Sequence, residues 1–113
     1  MSDAANCLIL TASIAEREAL RYTPAGIPAL NLKLEHASSV QEAGQVRQVN
    51  AAVKAVALGS NAERLANQAI GSAWRFTGFV ATPRNGKQVV FHIQEFLQDP
   101  SMFSQQVDTA RID

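Results

Sequence analysis

Five segments of the chain alternate apolar and polar residues with a period of two, which is typical of β-strands that have one buried face. The clearest is the second segment, where Leu30, Leu32 and Leu34 alternate with polar residues. The third segment is rich in alanine, a poor strand former, so a helix is the alternative there, although its valines favour a strand. The predicted strands cover residues 6–15, 30–35, 46–58, 74–80 and 89–97.

One segment has helical periodicity instead. Residues 60–63 (Ser-Asn-Ala-Glu) form a possible capping box, in which Ser60 accepts from the amide of Glu63 and Glu63 reaches back to Ser60. Apolar residues then follow at the spacing of one helix face, and Gly71 is expected to end the helix. The apolar face consists of Ala62, Leu65, Ala66, Ala69 and Ile70.

Three connections are marked by turn-forming or polar residues. Thr23-Pro24-Ala25-Gly26 predicts a turn after the first strand, and Pro83-Arg84-Asn85-Gly86 predicts a hairpin turn between the last two strands. The polar stretch from Ala37 to Gln45, which contains Gly44, predicts a loop.

The resulting order is three strands, one helix and two strands. It predicts an all-β fold, the five-stranded OB-fold, which is a Greek-key barrel, here with one short helix between strands three and four. A two-layer α+β sandwich with the same order is the main alternative. The chain of 113 residues has the length of one domain. We expect the OB-fold domain in residues 1–97 and a flexible C-terminal tail in residues 98–113.

The composition is that of an ordinary globular protein, with 47% apolar and 18% charged residues. The single cysteine, Cys7, allows neither an intramolecular disulfide nor a zinc site built on cysteines. Because it precedes Leu8-Ile9-Leu10, we expect it to be a small buried apolar residue. The sequence has no recognisable secretory signal and no long apolar run, which predicts a soluble cytoplasmic protein.

The charge balance restricts the function. Ten basic and ten acidic residues cancel, whereas dedicated nucleic-acid-binding domains usually have a basic excess. Any DNA-binding surface must therefore be a local concentration of positive charge. His36 and His92 have no Asp or Cys at the spacing of a catalytic triad or a metal site, so the sequence predicts neither an enzyme nor a cofactor.

Basic residues are the best candidates for a binding surface. In an OB-fold, the loop between strands one and two and the loop between strands four and five border one binding face, where basic residues of these loops would converge. Without that fold, they are ordinary surface cations. Tyr22, beside the first turn, is an aromatic residue that could be exposed for base stacking. The basic candidates are Arg17, Arg21, Arg47, Lys54, Arg84 and Lys87.

Several short motifs together resemble the primosomal replication protein N family. The strand ending in Glu35-His36, followed by the Val-Gln-Glu-Ala-Gly stretch at residues 40–44, is the most specific part. The resemblance spans residues 6–97 and leaves the C-terminal tail outside. The other matching motifs are Gly26-Ile27-Pro28, Gly78-Phe79-Val80, Asn85-Gly86 and Val90-Phe91-His92.

The resemblance implies an OB-fold homodimer, related to the general single-strand-binding protein, that binds single-stranded DNA. It implies assembly with the primosomal helicase and a helicase-loader protein at abandoned replication forks, away from any membrane. The family's basic DNA-contacting positions correspond best to Arg21, Arg84 and Lys87, and Arg47 also falls at a basic position. The resulting set of expected DNA contacts is Arg21, Tyr22, Arg47, Lys54, Arg84 and Lys87.

The chain departs from the family where its relatives can offer aromatic side chains and an extra arginine to DNA. The matching positions hold Ala37, Gln45 and Asn50. Loss of an aromatic stacking partner reduces the binding free energy by about 1–3 kcal/mol per base. Together with the net charge of zero, these departures predict weak single-strand binding or, alternatively, a protein-interaction module of the primosome with little DNA binding of its own.

Overall fold

The computed structural model describes residues 4–98 and contains six strands and one helix within that range. The C-terminal tail predicted for residues 98–113 lies outside the described residues from position 99 onward. In chain order, the elements are β1 (Leu8–Arg17), β2 (Arg21–Tyr22), β3 (Pro28–Glu42), β4 (Gln45–Leu58), α1 (Ser60–Ala66), β5 (Ala73–Ala81) and β6 (Val90–Leu97).

The five long strands form a closed barrel. The sheet order is β1-β5-β6-β4-β3-β2, and an additional pairing between β1 and β3 closes it. All pairings are antiparallel except that of β4 with β6. The two-residue β2 pairs only with the start of β3, so α1 lies between the third and fourth long strands. The predicted OB-fold is confirmed, and the α+β sandwich is wrong.

The inward side chains of the strands fill the barrel. Leu30 and Leu34 of β3 are fully buried, as are the rings of Phe76 and Phe91 from β5 and β6. Leu65 of α1, also fully buried, covers the core from the helix. Because successive residues of a strand point to opposite faces, this burial fixes which residues of β3, β4 and β6 point outward.

Strands β3 and β4 extend beyond the barrel as a two-stranded ribbon, which corrects the loop predicted for residues 37–45. The strands remain paired from Ala37 with Asn50 to Glu42 with Gln45. Ala43 (φ 53°) and Gly44 (φ 78°) form the tip, and positive φ at both positions matches a two-residue type I′ turn. Both faces of the ribbon tip are exposed, so its sequence lacks the alternation by which half-buried strands are predicted.

The helix begins and ends differently from the prediction. Gly59, at φ 73°, turns the chain from β4 into α1 and serves as the N-cap residue, with no side-chain capping hydrogen bond. Ser60 is therefore the first helical residue, and the predicted capping box is wrong. The helix ends at Ala66 rather than near Gly71, and this leaves Ile70 54% exposed. Within residues 4–98, no helix is long and apolar enough to cross a membrane.

Cys7 is exposed, contrary to the prediction that it is buried. The first strand begins one residue later, at Leu8, so Cys7 precedes the segment whose alternate side chains enter the core. His36 has a structural role in β3: its Nδ1 donates to the Thr11 carbonyl at 2.6 Å, and its Nε2 accepts from the Ser38 hydroxyl at 2.8 Å.

Candidate nucleic-acid interface

A groove of about 850 Å³ lies on the outer surface of the barrel. The outer faces of β3, β4 and β6 form its floor. One wall is the end of β1 with the loop that follows it, and the other is the start of the β5–β6 loop, at Thr82 and Pro83. The two loops that an OB-fold was expected to bring together therefore border the same groove.

Positive charge exceeds negative charge in this groove, although the chain as a whole is neutral. The excess is local, as the charge balance of the sequence required of any DNA-binding surface. Within residues 4–98, no group of three or more His, Cys, Asp or Glu residues is arranged to hold a metal ion. The cations that line the groove are Arg17, Arg21, Lys33 and Lys54, and the carboxylates are Glu16 and Glu18.

Lys33 and Lys54 are direct cross-strand neighbours on the floor of the groove. They point outward because the adjacent Leu32 and Ala55 are buried in the core. The Nζ of Lys33 lies 4.0 Å from Oε2 of Glu16. Lys54 forms no ion pair with any residue that the structure describes. Lys54 is therefore the cation on the floor whose charge is least compensated.

The two arginines of the wall are held by other groups of the protein. The Nη1 of Arg17 donates to the Gln68 carbonyl. The Nη2 of Arg21 donates to Asn31 Oδ1 at 3.2 Å, and Asn31 Nδ2 donates to Glu18 Oε1 at 3.1 Å. These bonds orient Arg21 at the edge of the floor and leave most of its five N–H donors for a ligand.

An aromatic pair lies beside the lysines. The rings of His92 and Phe79 are stacked, with centroids 4.8 Å apart and planes inclined by 10°. The two residues belong to one outward row across four strands, in which Asn31, Val56, His92 and Phe79 are successive cross-strand partners. Asn31, Val56 and His92 line the groove, so the row leads from the arginine wall to the aromatic pair.

Arg84 and Lys87 lie in the β5–β6 loop, directly after the Pro83 that lines the groove. The amide of Gly86 donates to the Pro83 carbonyl at 3.0 Å, which closes the turn predicted there. Both cations are exposed and form no ion pair with the described part of the chain. They add positive charge at the border of the groove rather than on its floor.

The structure does not place Tyr22 and Arg47 among the residues that line the groove. Tyr22 is 62% exposed in β2, next to Arg21. Arg47 lies on the ribbon, where its Nη1 is 2.9 Å from Oε1 of Glu42. It is seven residues from Lys54 along β4, or about 23 Å at the rise of an extended strand. The six predicted contacts therefore do not form one cluster.

A second depression, of about 420 Å³, lies next along β3 and β4, at the root of the ribbon. Ala37 and Asn50, two of the three positions at which the chain departs from the family, line it together with Glu35 and Ala52. No lysine or arginine is among its lining residues. The positive charge of the groove therefore does not continue into this depression.

Sequence reasoning did not select Lys33, Phe79 and His92 as site residues. Lys33 could have been found from the register, because a two-residue turn at Ala43–Gly44 pairs it directly with Lys54. The sequence did not indicate the Phe79–His92 pair in this way. Its place in the groove depends on the parallel pairing of β4 with β6, and these strands are distant in sequence.

Comparison with known proteins agrees with this structure. The model of a family described as "Another single-strand binding protein family" matches residues 6–95. The Replication restart protein PriB of Bordetella pertussis is 44% identical over 91 residues, which are 80% of this chain and 85% of that protein.

Two solved structures show the same architecture. The PriB protein of Ralstonia solanacearum has a TM-score of 0.77 and 39% identity, with 84% of this chain and 98% of that chain covered. An SSB domain from Synechococcus sp. has a TM-score of 0.64 at 19% identity, with 87% and 100% covered, and this likeness supports the fold alone. The chain therefore belongs to the PriB family of replication restart proteins, within the single-strand-binding-protein families.

Proposed function

We propose that this chain is an accessory subunit of the replication-restart primosome and binds a short length of single-stranded DNA in the groove. The observation that carries the proposal is the local excess of positive charge in a groove bordered by both loops, in a chain without net charge. Cations along a groove contact phosphates whatever the base sequence, which suits a protein that acts at forks of any sequence.

The contacts differ in how available they are. Lys54, Arg84 and Lys87 have no ion-pair partner among the described residues, whereas Lys33 is near Glu16. Arg21 is oriented towards Asn31. Neutralisation of three to five phosphates by these side chains gives a slope of log K against log salt of about −2 to −3.5 for single strands. With so few phosphate contacts, we expect binding to be weak at physiological salt.

In the assembly, we propose that the chain acts as a homodimer that contacts the primosomal helicase and a helicase-loader protein. It would stimulate the primosomal helicase and help the loader protein to load the replicative helicase. The family membership supports a role in replication restart, since relatives of the chain bear the name Replication restart protein PriB.

The alternative is a subunit that acts mainly through protein contacts. The observation that favours it is the surface at the root of the ribbon, which contains Glu35 and no lysine or arginine, together with the ion pair that engages Arg47 beyond it. Stimulation of the primosomal helicase that persists after the groove cations are neutralised would support this second function.

Fluorescence anisotropy with a labelled single-stranded oligonucleotide tests the first function. Arg84→Ala/Lys87→Ala is expected to weaken binding and to make the salt slope shallower by about 1.4, since each phosphate contact contributes about 0.7. Arg75→Ala removes an exposed cation that does not line the groove and serves as the control. Absence of salt-sensitive binding by the unmodified protein, at low and near-physiological salt, would refute DNA binding in this groove.

A further inference from the structure

The His92 ring has one face covered and one face directed into the groove. Phe79 covers the first face, because the two rings are nearly parallel at a centroid distance of 4.8 Å. Because Phe79 belongs to β5 and the strand order is β5-β6-β4, the opposite face of the stacked ring is on the side of β4, where the cross-strand partner of His92 is Val56. Valine is short, and both His92 and Val56 line the groove. A flat ligand can therefore lie over Val56 against the free face of the imidazole.

The fold makes little use of this aromatic pair. The core contains the rings of Phe76, Phe91 and Phe96, which belong to the inward faces of β5 and β6, whereas Phe79 and His92 are on the outward faces and only half-buried. The His92 ring forms no hydrogen bond with any residue that the structure describes. Both of its nitrogens are thus available to water or to a ligand.

The free ring face is also close to the uncompensated lysine. Lys54 precedes Val56 by two residues on the same outward face of β4, and Val56 is paired with His92. A two-residue step of about 7 Å along the strand and one strand spacing of about 4.8 Å place the Cα atoms of Lys54 and His92 about 8 Å apart. The flexible lysine side chain can therefore hold a phosphate while the imidazole contacts the attached base.

We propose that His92, supported from behind by Phe79, is the surface on which one nucleobase of the bound strand stacks, and that Lys54 binds an adjacent phosphate. This inference rests on the proposed single-strand binding and assigns its base contact. Stacking on a ring is tolerant of base identity because every base has a π-face. The chain thus has a stacking partner on the barrel itself, although its ribbon lacks one at Ala37, Gln45 and Asn50.

The test compares His92→Ala, His92→Phe and His92→Leu on two labelled probes of equal length, an oligothymidylate and an oligomer of abasic nucleotides. His92→Ala is expected to lose about 5- to 20-fold in affinity for the oligothymidylate, the lower part of the range for loss of one stacked base. Its salt slope should remain that of the unmodified protein, because the phosphate contacts persist. On the abasic probe, the variant and the unmodified protein should bind equally.

The other two variants distinguish stacking of a base on a ring from simple apolar contact. His92→Phe should retain the affinity for the oligothymidylate, whereas His92→Leu, an apolar side chain without a ring, should lose nearly as much as His92→Ala. The fluorescence of Trp74, the only tryptophan, reports whether each variant is folded. If His92→Ala does not fold, the comparison of His92→Phe with His92→Leu gives the same answer.

Three results would overturn the inference. His92→Ala could bind the oligothymidylate as well as the unmodified protein does, it could show the same loss on the abasic probe, or His92→Leu could equal His92→Phe. In each case the unmodified protein still shows salt-sensitive binding, so the proposed function survives and only the base contact fails. If the unmodified protein binds neither probe at any salt concentration, the proposed function and the inference both fail.

Discussion

The Lys33–Lys54 pair predicts that one substitution will stabilise the fold and weaken DNA binding together. Two lysines that are direct cross-strand neighbours repel each other. Glu16 offsets the charge of Lys33 in part, whereas Lys54 has no ion-pair partner among the described residues. Lys54→Gln removes the repulsion and keeps a long polar side chain on the strand. We expect the free energy of unfolding to increase.

The size of the increase follows from Coulomb's law. Cross-strand neighbours have Cβ atoms about 5 Å apart, and splayed side chains place the two ammonium groups about 7 Å apart. At that distance in water, they repel by about 0.6 kcal/mol at low ionic strength. A screening length of about 8 Å at 0.15 M salt reduces the repulsion to about 0.2 kcal/mol. For a domain of this size, Lys54→Gln should raise Tm by about 2–5 °C at low salt and by about 1–2 °C at 0.15 M.

Thermal unfolding followed by Trp74 fluorescence and circular dichroism, at one protein concentration and two salt concentrations, measures this increase. Anisotropy measurements on the same samples should show weaker binding to single strands, with a salt slope shallower by about 0.7. Lys87→Gln is the matched control, because Lys87 lies in the β5–β6 loop with no lysine opposite it. It should weaken DNA binding without raising Tm. A Tm of Lys54→Gln that is unchanged or lowered at low salt would refute the electrostatic reasoning.

Two further predictions concern backbone positions. Ala43 has a φ of 53° at the tip of the ribbon, where the left-handed conformation costs most L-residues about 1–2 kcal/mol and asparagine less. Ala43→Asn should therefore raise Tm in thermal unfolding, and Ala43→Val is the destabilising control. A lowered Tm for Ala43→Asn would contradict the type I′ assignment. A Cβ added at Gly78 would lie 1.8 Å from the His92 carbonyl oxygen and 2.9 Å from Phe91 Cε1. Gly78→Ala should therefore unfold the barrel or lower its denaturation midpoint severely. A midpoint within error of the unmodified protein would show that β5 and β6 do not approach so closely.

The strands could be predicted where one of their faces is buried in the barrel core. Leu30, Leu32 and Leu34 are all inward in the structure, and the alternation that revealed them is a direct consequence of that burial. The ribbon could not be predicted in the same way. Its paired strands have water on both faces, and its turn uses Ala43 at a position where asparagine is the usual signal. The unusual turn residue and the missing alternation together made a hairpin resemble a loop.

The lining of the candidate groove could be predicted only in part, for a related reason. Arg21 could be found because it lies beside a turn whose place in an OB-fold is known, and Lys54 because it interrupts an apolar strand. His92 could not be found in the same way, since its relevance depends on Phe79 behind it and Val56 beside it. Those neighbours are set by strand pairings between distant segments, and local periodicity contains no information about them.

The distribution of charge bears on how the groove would obtain its ligand. Because ten basic and ten acidic residues cancel, the chain has no net charge with which to attract a polyanion over a long distance. The floor lysines and the two loop cations act only within about 8 Å at physiological salt. A surface of that kind gains most when the strand is already held nearby, since tethering raises the effective concentration of the second contact. A neutral chain with a local excess of positive charge in its groove therefore fits the proposed role, in which other proteins of the assembly would supply the first hold on the strand.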